Sequence, residues 1–130
     1  MTEGITYLAC PRMHQDVKVM HARFAVANRV AGMLMERGEL VFSPISHGHL
    51  IGLERNWSWE TWQRFDTAML DRCARIKLIP ISGWEISRGV RDELVIGEKL
   101  GLEIERINLD DFGIYYEFPY IIPDLSVLYG

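Results

Sequence analysis

The sequence predicts one α/β domain with helices on both faces of a mostly parallel sheet of four or five strands. Short apolar runs, typical of buried strands, alternate with longer segments that repeat apolar residues every three or four positions. This alternation is typical of right-handed crossovers between parallel strands. The 130 residues match the size of one domain, and 48% hydrophobic content can form a core. The predicted fold class is a three-layer, flavodoxin-like (Rossmann-like) sandwich.

The first half of the chain contains two of these strands. A buried strand is expected from Ile5 to Cys10, because this run is apolar throughout. From Asp16 to about Arg37 apolar residues recur at helical spacing, and Gly38 is the expected stop. A short strand at Leu40-Val41-Phe42 follows. The segment from Ser43 to Asn56 is rich in Ser, Gly and His and has no period, so we expect a long functional loop there.

The second half repeats the pattern. Ser58 is a plausible N-cap for a helix from Trp59 to about Cys73. The third strand is expected from Ile76 to Ile81, and a further helix from Ser87 to about Leu100. Residues 102–107 alternate apolar and polar side chains, as an edge strand should.

The tail from Asp111 to Gly130 is crowded with aromatic and aliphatic residues, and Pro119 and Pro123 interrupt any helix there. So much apolar surface is unusual for a monomer. We therefore expect the tail to dock on the domain or to form a subunit interface, which makes a homo-oligomer the expected assembly.

Composition excludes several classes of partner. The net charge is −4 and the sequence has no basic run, so duplex nucleic acid is not expected as a ligand. Cys10 and Cys73 both lie in apolar stretches, which indicates buried reduced thiols and a cytoplasmic location. No signal peptide and no span of about 20 apolar residues is evident, so no membrane association is expected.

In a sheet of this type, ligands bind where two neighbouring loops diverge beyond the carboxyl ends of the strands. These loops should be the ones that follow the first and third strands. They contain Cys10, Pro11, Arg12 and Met13 on one side, and the segment from Gly83 to Ser87, including Trp84, on the other. The sequence therefore predicts one crevice between two segments that are distant along the chain.

The helix that opens at Ser87 is the more informative wall. Ser87 is positioned as an N-cap, and the free backbone donors of the first turn can bind an anion. Gly89, Glu93 and Gly97 lie along one side of this helix, which suggests that something approaches Glu93 closely. The alternative interpretation is an ordinary cap, a packing glycine and a solvated carboxylate.

Two further residues could assist Glu93. Asp66 could face the crevice and exchange a proton if burial raises its pKa, or it could be a surface residue. Tyr7 is in the middle of a strand, where an aromatic residue is usually core, although its phenol could orient a carboxylate.

Histidines and tryptophans give weaker signals. His47 and His49 have a spacing that can ligate a metal, but no third ligand is evident, so we expect loop residues or substrate contacts and no metal. The tryptophans at 57, 59, 62 and 84 could include a base-stacking platform, although aromatic residues at helical spacing are mostly core.

These features together resemble a known family. Tyr7-Leu8-Ala9-Cys10-Pro11 resembles the opening strand of nucleoside 2-deoxyribosyltransferases, and the Ser87, Gly89 and Glu93 pattern resembles their nucleophile helix. Asp66 resembles their mid-chain aspartate. Phe42-Ser43-Pro44-Ile45 with His47, and Gly83-Trp84 with Ser87, are similar to a bacterial and phage branch of this superfamily whose function is unassigned. The resemblance covers about residues 5–108.

The resemblance implies that Glu93 is the nucleophile, that Asp66 supports proton transfer or positioning at the base, and that Tyr7 orients Glu93. Ser87 stands where the transferases carry an acid and where related deoxynucleoside monophosphate N-glycosidases carry a phosphate-binding serine. This difference favours a 5′-monophosphate over a free nucleoside. Cys10 replaces a glycine of the family and leaves that part of the comparison open.

The expected activity is cleavage of an N-glycosidic bond, or deoxyribosyl transfer, without metal or nicotinamide cofactor. Expected substrate contacts are Ser87, Gly89, Cys10, Pro11, Arg12, His47 and Trp84. The first alternative is a nucleotide-binding or sensing domain without turnover. The second is a metal-dependent hydrolase that uses His47 and His49.

Overall fold

The structure is a computed structural model that describes residues 3–117 and 120–121. Its main sheet has four strands, all parallel, in the order β2-β1-β3-β4. The strands are β1 (Ile5–Ala9), β2 (Val41–Phe42), β3 (Cys73–Leu78) and β4 (Glu103–Arg106). The order reverses between β1 and β3, so the switch point lies between the two central strands. The predicted fold class is confirmed.

Four helices surround this sheet: α1 (Val17–Glu36), α2 (Pro44–Glu54), α3 (Trp59–Leu70) and α4 (Arg88–Lys99). Helix α1 packs on one face, and α3 and α4 pack together on the other. Helix α2 packs on α1 and contacts β1. Each helix begins with a side-chain cap, as Ser58 does for α3 and Ser87 does for α4. The three layers therefore follow from the alternation of apolar strands with capped helices along the chain.

Side chains of β1 point alternately into two cores. Leu8 packs in the core under α1, whereas Tyr7 packs in the core under α3 and α4. Both residues are almost completely buried. Tyr7 is therefore directed towards α4, which carries Glu93.

The predicted boundaries of β3 and α3 were wrong by several residues. Helix α3 ends at Leu70 rather than near Cys73, and β3 runs from Cys73 to Leu78 rather than from Ile76 to Ile81. The partner strand explains the end of β3. Strand β1 stops at Ala9, whose carbonyl accepts from Ile79, and Pro80 has no N–H with which to continue the ladder.

The prediction of a loop from Ser43 to Asn56 was also wrong, because residues 44–54 form α2. Ser43 caps this helix by accepting from the Ser46 N–H, and Pro44 occupies its first turn. The glycines that indicated a loop are contact points. A side chain at Gly48 would approach the Trp62 ring to 3.1 Å, and one at Gly52 would approach the Arg12 guanidinium to 3.3 Å. The small residues let α3 and the β1 loop pack closely on α2.

Only part of the predicted tail, 111–130, falls within the described residues. Residues 109–112 form a 3₁₀ turn, and β5 (Tyr116–Glu117) pairs antiparallel with β6 (Tyr120–Ile121). The expected docking or interface role of the remaining tail residues, including Phe118, Pro119 and 122–130, lies outside the described part of the chain. Among the described residues, no helix combines the length and the apolar character that a bilayer crossing requires.

Candidate functional site

A pocket of about 450 Å³ opens at the switch point, beyond the carboxyl ends of β1 and β3. The loop after β1 and the loop after β3 both contribute to it, together with α2, α3 and the first half of α4. Its lining residues are Leu8, Cys10, Arg12, Met13, His14, Arg23, Pro44, Ile45, Gly48, Trp59, Trp62, Asp66, Gly83, Ile86, Ser87, Arg88, Gly89 and Glu93.

Glu93 is held at the base of this pocket by the central strand. The Tyr7 hydroxyl donates a hydrogen bond of 2.5 Å to Glu93 Oε2. Part of the Glu93 residue faces the pocket, but protein surrounds the carboxylate closely enough that desolvation raises its pKa to about 8. The hydrogen bond from Tyr7 acts in the opposite direction, and the charges of Asp66 and Asp92 raise the pKa further. Glu93 is thus a desolvated carboxyl group in one fixed orientation.

Burial also raises the pKa of the Tyr7 phenol, with the neighbouring Glu93 charge adding to the effect. Tyr7 therefore remains a neutral donor at any pH at which the domain would work. The centre of its ring lies 5.8 Å from the centre of the Phe42 ring, and this packing restricts the orientation of the phenol. Tyr7 lies behind Glu93 and is absent from the pocket lining.

Asp66 supplies the second carboxyl group of the pocket. It lies about two helical turns after Trp59 on α3, so both side chains are on the same face of the helix. Desolvation raises the pKa of Asp66 to about 6. Within the described residues it accepts no hydrogen bond, and it is near enough to Glu93 for its charge to raise the pKa of that group. The two carboxyl groups therefore share one partly desolvated space.

The N-terminus of α4 forms another part of the wall. Ser87 Oγ accepts from the Val90 N–H at 3.2 Å, which leaves the hydroxyl hydrogen free to donate. Arg88 and Gly89 are the first two residues of the helix, so their N–H groups have no partner within it. Free donors and the helix dipole favour an anion at this point.

Gly97 has a different role from Gly89. A side chain at Gly97 would come within 2.3 Å of Ile76 Cδ1, so this glycine permits close packing of α4 on β3. Gly89 lies in the pocket wall, where the Trp59 ring and Ser87 are its nearest neighbours. Of the two glycines that flank Glu93 in the sequence, only Gly89 is available to a ligand.

Two indole rings form the α3 side of the pocket, next to the N-terminus of α4. Trp59 and Trp62 project from α3 into the pocket wall, and the Arg88 guanidinium lies 4.3 Å from the centre of the Trp59 ring. The Trp59 Nε1 atom is buried and has no hydrogen-bond partner among the described residues. A planar aromatic group could stack in this part of the pocket.

The predicted substrate contacts separate into two groups. Ser87, Gly89, Cys10 and Arg12 line the pocket. Pro11, His47 and Trp84 do not belong to its lining.

The two outlying rings have partners of their own. His47 of α2 stacks on the Phe65 ring of α3 at 5.0 Å. Trp84 packs in the core beneath α4, with the Arg106 guanidinium 5.1 Å from its ring.

His49 is buried and bonded through both ring nitrogens. Its Nδ1 accepts from Arg12 Nε at 2.9 Å, and its Nε2 lies 2.9 Å from His21 Nδ1. Desolvation, followed by the charge of Arg12, lowers the pKa of His49 to about 4, so the ring is neutral. No group of three or more His, Cys, Asp or Glu residues within the described ranges could hold a metal ion. The pairing of His47 with His49 suggested by the sequence does not occur.

Sequence reasoning missed Arg23 as a pocket residue. Arg23 lies on α1 between apolar neighbours and is 7% exposed. The available signal was a charged residue inside the apolar run from Ala22 to Ala27, because an arginine is rarely fully buried without a partner.

Comparison with known proteins bears on the whole site. The family described as Domain of unknown function (DUF1937) matches residues 4–106. The chain belongs to this family. The match runs from just before β1 to the end of β4 and includes Tyr7, Asp66, Ser87 and Glu93. A search of curated proteins found no match. The matched segment of this chain thus contains every pocket residue, and the description of the family assigns no activity.

The raised pKa of Glu93 predicts a stability penalty that depends on pH. Above an ordinary value of 4.5 the unfolded chain releases this proton, whereas the folded domain retains it until about pH 8. Stability is therefore lost as pH rises from 4.5 to 8. Glu93→Gln should raise the free energy of unfolding by about 2–4 kcal/mol at pH 8 and by much less at pH 5.

Urea denaturation at both pH values measures this difference. The matched control is Glu98→Gln, because Glu98 is exposed on the same helix. Equal changes for Glu93→Gln at pH 5 and pH 8 would contradict a desolvated carboxyl group at this position.

Proposed function

We propose that this domain cleaves the N-glycosidic bond of a deoxynucleoside or its 5′-monophosphate, with Glu93 as the nucleophile. The observation that carries the proposal is the position of the Glu93 carboxyl group, held by Tyr7 at the base of a pocket that also contains Asp66. A carboxylate beneath an anomeric carbon stabilises an oxocarbenium-like transition state and can trap it. The resemblance to nucleoside 2-deoxyribosyltransferases supports the same assignment.

In the first step, a Glu93 oxygen forms a bond to the anomeric carbon as the bond between that carbon and the base nitrogen breaks. The departing base receives the electron pair of that bond and a proton from Asp66. Tyr7 donates to Glu93 Oε2 and so orients the carboxylate and stabilises its charged form. The product is a glycosyl ester on Glu93 and a free base.

In the second step, an acceptor attacks the same carbon and releases Glu93. Asp66, now ionised, removes the proton from the acceptor. A water acceptor gives hydrolysis, and a second base gives transfer. Two displacements return the original configuration at the anomeric carbon.

The pocket walls suggest how the substrate is oriented. The free N–H groups of Arg88 and Gly89 and the Ser87 hydroxyl can bind a 5′-phosphate. The Trp59 and Trp62 rings, next to Asp66 on α3, can bind the base by stacking. Phosphate binding and base stacking of this kind require no cofactor. The two buried free thiols are consistent with a cytoplasmic location.

The resting protonation states favour a second candidate, a nucleotide-binding or sensing domain without turnover. With pKa values of about 8 for Glu93 and about 6 for Asp66, the proton at neutral pH resides on Glu93. Catalysis requires the reverse arrangement, which is the minor one at neutral pH. The resting state of the two carboxyl groups therefore favours slow turnover, or binding without turnover, over fast catalysis.

Base release distinguishes these two functions. The four common deoxynucleosides and their 5′-monophosphates are incubated with the wild type, and free base is separated and measured. We expect release by the wild type and a loss of at least about 100-fold in Glu93→Gln, since this change removes the nucleophile. Exposed Glu98→Gln on the same helix should retain full activity. Undiminished release of free base by Glu93→Gln would exclude Glu93 as the nucleophile.

The dependence of kcat/KM on pH tests the role of Asp66. The wild type should show a bell-shaped profile with a low-pH limb near 6 and a high-pH limb near 8. Asp66→Asn removes the acid, so its lower activity should rise with pH along a single limb to a plateau, and the midpoint of that limb should lie slightly below 8 because the Asp66 charge no longer raises the pKa of Glu93. The control variant Asp71→Asn, at the exposed end of α3, should retain the bell-shaped profile. A bell that persists in Asp66→Asn would exclude Asp66 as the proton donor.

A further inference from the structure

The pocket carries a positive charge that the protein does not neutralise. Arg12, Arg23 and Arg88 all line it, although the chain as a whole has a net charge of −4. In the described part of the chain, ion pairs join Arg55 to Glu54 and Lys77 to Glu39, and none joins a pocket arginine to a carboxylate. The positive charge is therefore concentrated where a ligand would bind.

Arg23 is the most unusual of the three. Its guanidinium donates to the Met13 carbonyl at 2.9 Å and to the Ser82 carbonyl at 3.0 Å, so it joins the loop after β1 to the loop after β3. Gly83 adopts a φ of +94°, and a side chain there would come within 2.7 Å of Arg23 Nη2. The backbone is therefore shaped around this guanidinium.

Two carbonyl groups accept hydrogen bonds from the Arg23 guanidinium but do not neutralise its charge. Burial lowers the pKa of the guanidinium, which means that the charged form is penalised where it lies. Buried charges in proteins are normally paired, because an isolated one is costly. The missing counter-ion of Arg23 points to an anion supplied from the pocket.

The other two arginines are also fixed by uncharged partners. Arg12 donates through Nε to the neutral His49 ring at 2.9 Å and through Nη2 to the His49 carbonyl at 3.3 Å. Arg88 lies on the face of the Trp59 ring. The two carboxyl groups of the pocket, Asp66 and Glu93, have raised pKa values and form no bond to these arginines. Three guanidiniums are thus held in place with no carboxylate of the described residues bonded to them.

We infer that the ligand carries more than one phosphate, so that a nucleoside 5′-diphosphate binds in preference to the 5′-monophosphate. The N-terminus of α4 with Ser87 provides donors for one phosphate, and the three arginines, none of which is bonded to a carboxylate within the described ranges, provide charge and further donors for a second. The nucleoside part of this ligand rests on the proposed function. The preference for the second phosphate rests on the arginines alone.

Calorimetric titration tests this inference without any need for turnover. The probes are the 5′-mono- and 5′-diphosphates of the four common deoxynucleosides, titrated into the wild type with a chelator present so that metal does not contribute. For the base that binds best, the diphosphate should bind at least tenfold more tightly than the monophosphate. This ratio should fall as salt is raised, because ions screen the attraction.

Arg23→Met should reduce the ratio of the two affinities to below about threefold. Arg29→Met is the matched control, since Arg29 lies on the same helix, donates to the Phe112 carbonyl and is outside the pocket. If Arg23→Met does not fold, Arg88→Gln replaces it, because Arg88 is exposed and its loss should also lower the ratio. Retention of the full ratio in the folded pocket variant that is measured overturns the role of the arginines.

Equal or weaker binding of the diphosphate by the wild type overturns the inference, as does failure of every diphosphate to bind. These outcomes are independent of the proposed function. Base release without a preference for diphosphate contradicts only the present inference. A diphosphate preference without base release supports it and contradicts the proposed chemistry.

Discussion

The hydrogen bond from Tyr7 to Glu93 is the interaction on which the candidate site depends. It joins the central strand to α4, and it determines which way the carboxylate faces in the pocket. The bond exists because β1 alternates its side chains between two cores and directs Tyr7 towards α4. The fold thus places a neutral donor behind a carboxyl group at the point where the strand order reverses.

Burial disfavours the charged forms of the ionisable side chains in this pocket. Burial raises the pKa of Glu93 to about 8 and that of Asp66 to about 6, while the three arginines of the pocket have no carboxylate bonded to them among the residues that the structure describes. Neither feature improves folding, because each leaves a group less stable than it would be in water. Features that weaken the folded state and converge on one cavity are typical of binding and catalytic sites. A nucleotide would relieve the positive excess and exclude water from the carboxyl groups.

The sequence predicted the layers of the fold, because apolar periodicity and helix caps are local signals. It predicted Tyr7, Glu93 and Ser87 from the family resemblance and Ser87 from its capping position as well. It failed where a neighbour distant along the chain decides the outcome. The end of β3 follows from the length of β1, and the glycines of α2 are explained by Trp62 and Arg12. For the same reason the sequence did not predict Arg23 in the pocket wall or the ring contacts of His47 and Trp84, since the surroundings of these residues come from other elements.

Detection of a covalent intermediate on Glu93 is the most direct test of the central claim. A 2′-fluoro substituent slows the breakdown of a glycosyl ester, so intact-protein mass spectrometry after incubation with 2′-deoxy-2′-fluoro nucleotides can capture it. We expect a mass increase equal to one fluorinated sugar or sugar phosphate. Peptide mapping should locate it on Glu93, and it should be absent from Glu93→Gln. Base release by the wild type from natural deoxynucleotides, with no adduct at Glu93 or with an adduct on another residue, would contradict the account.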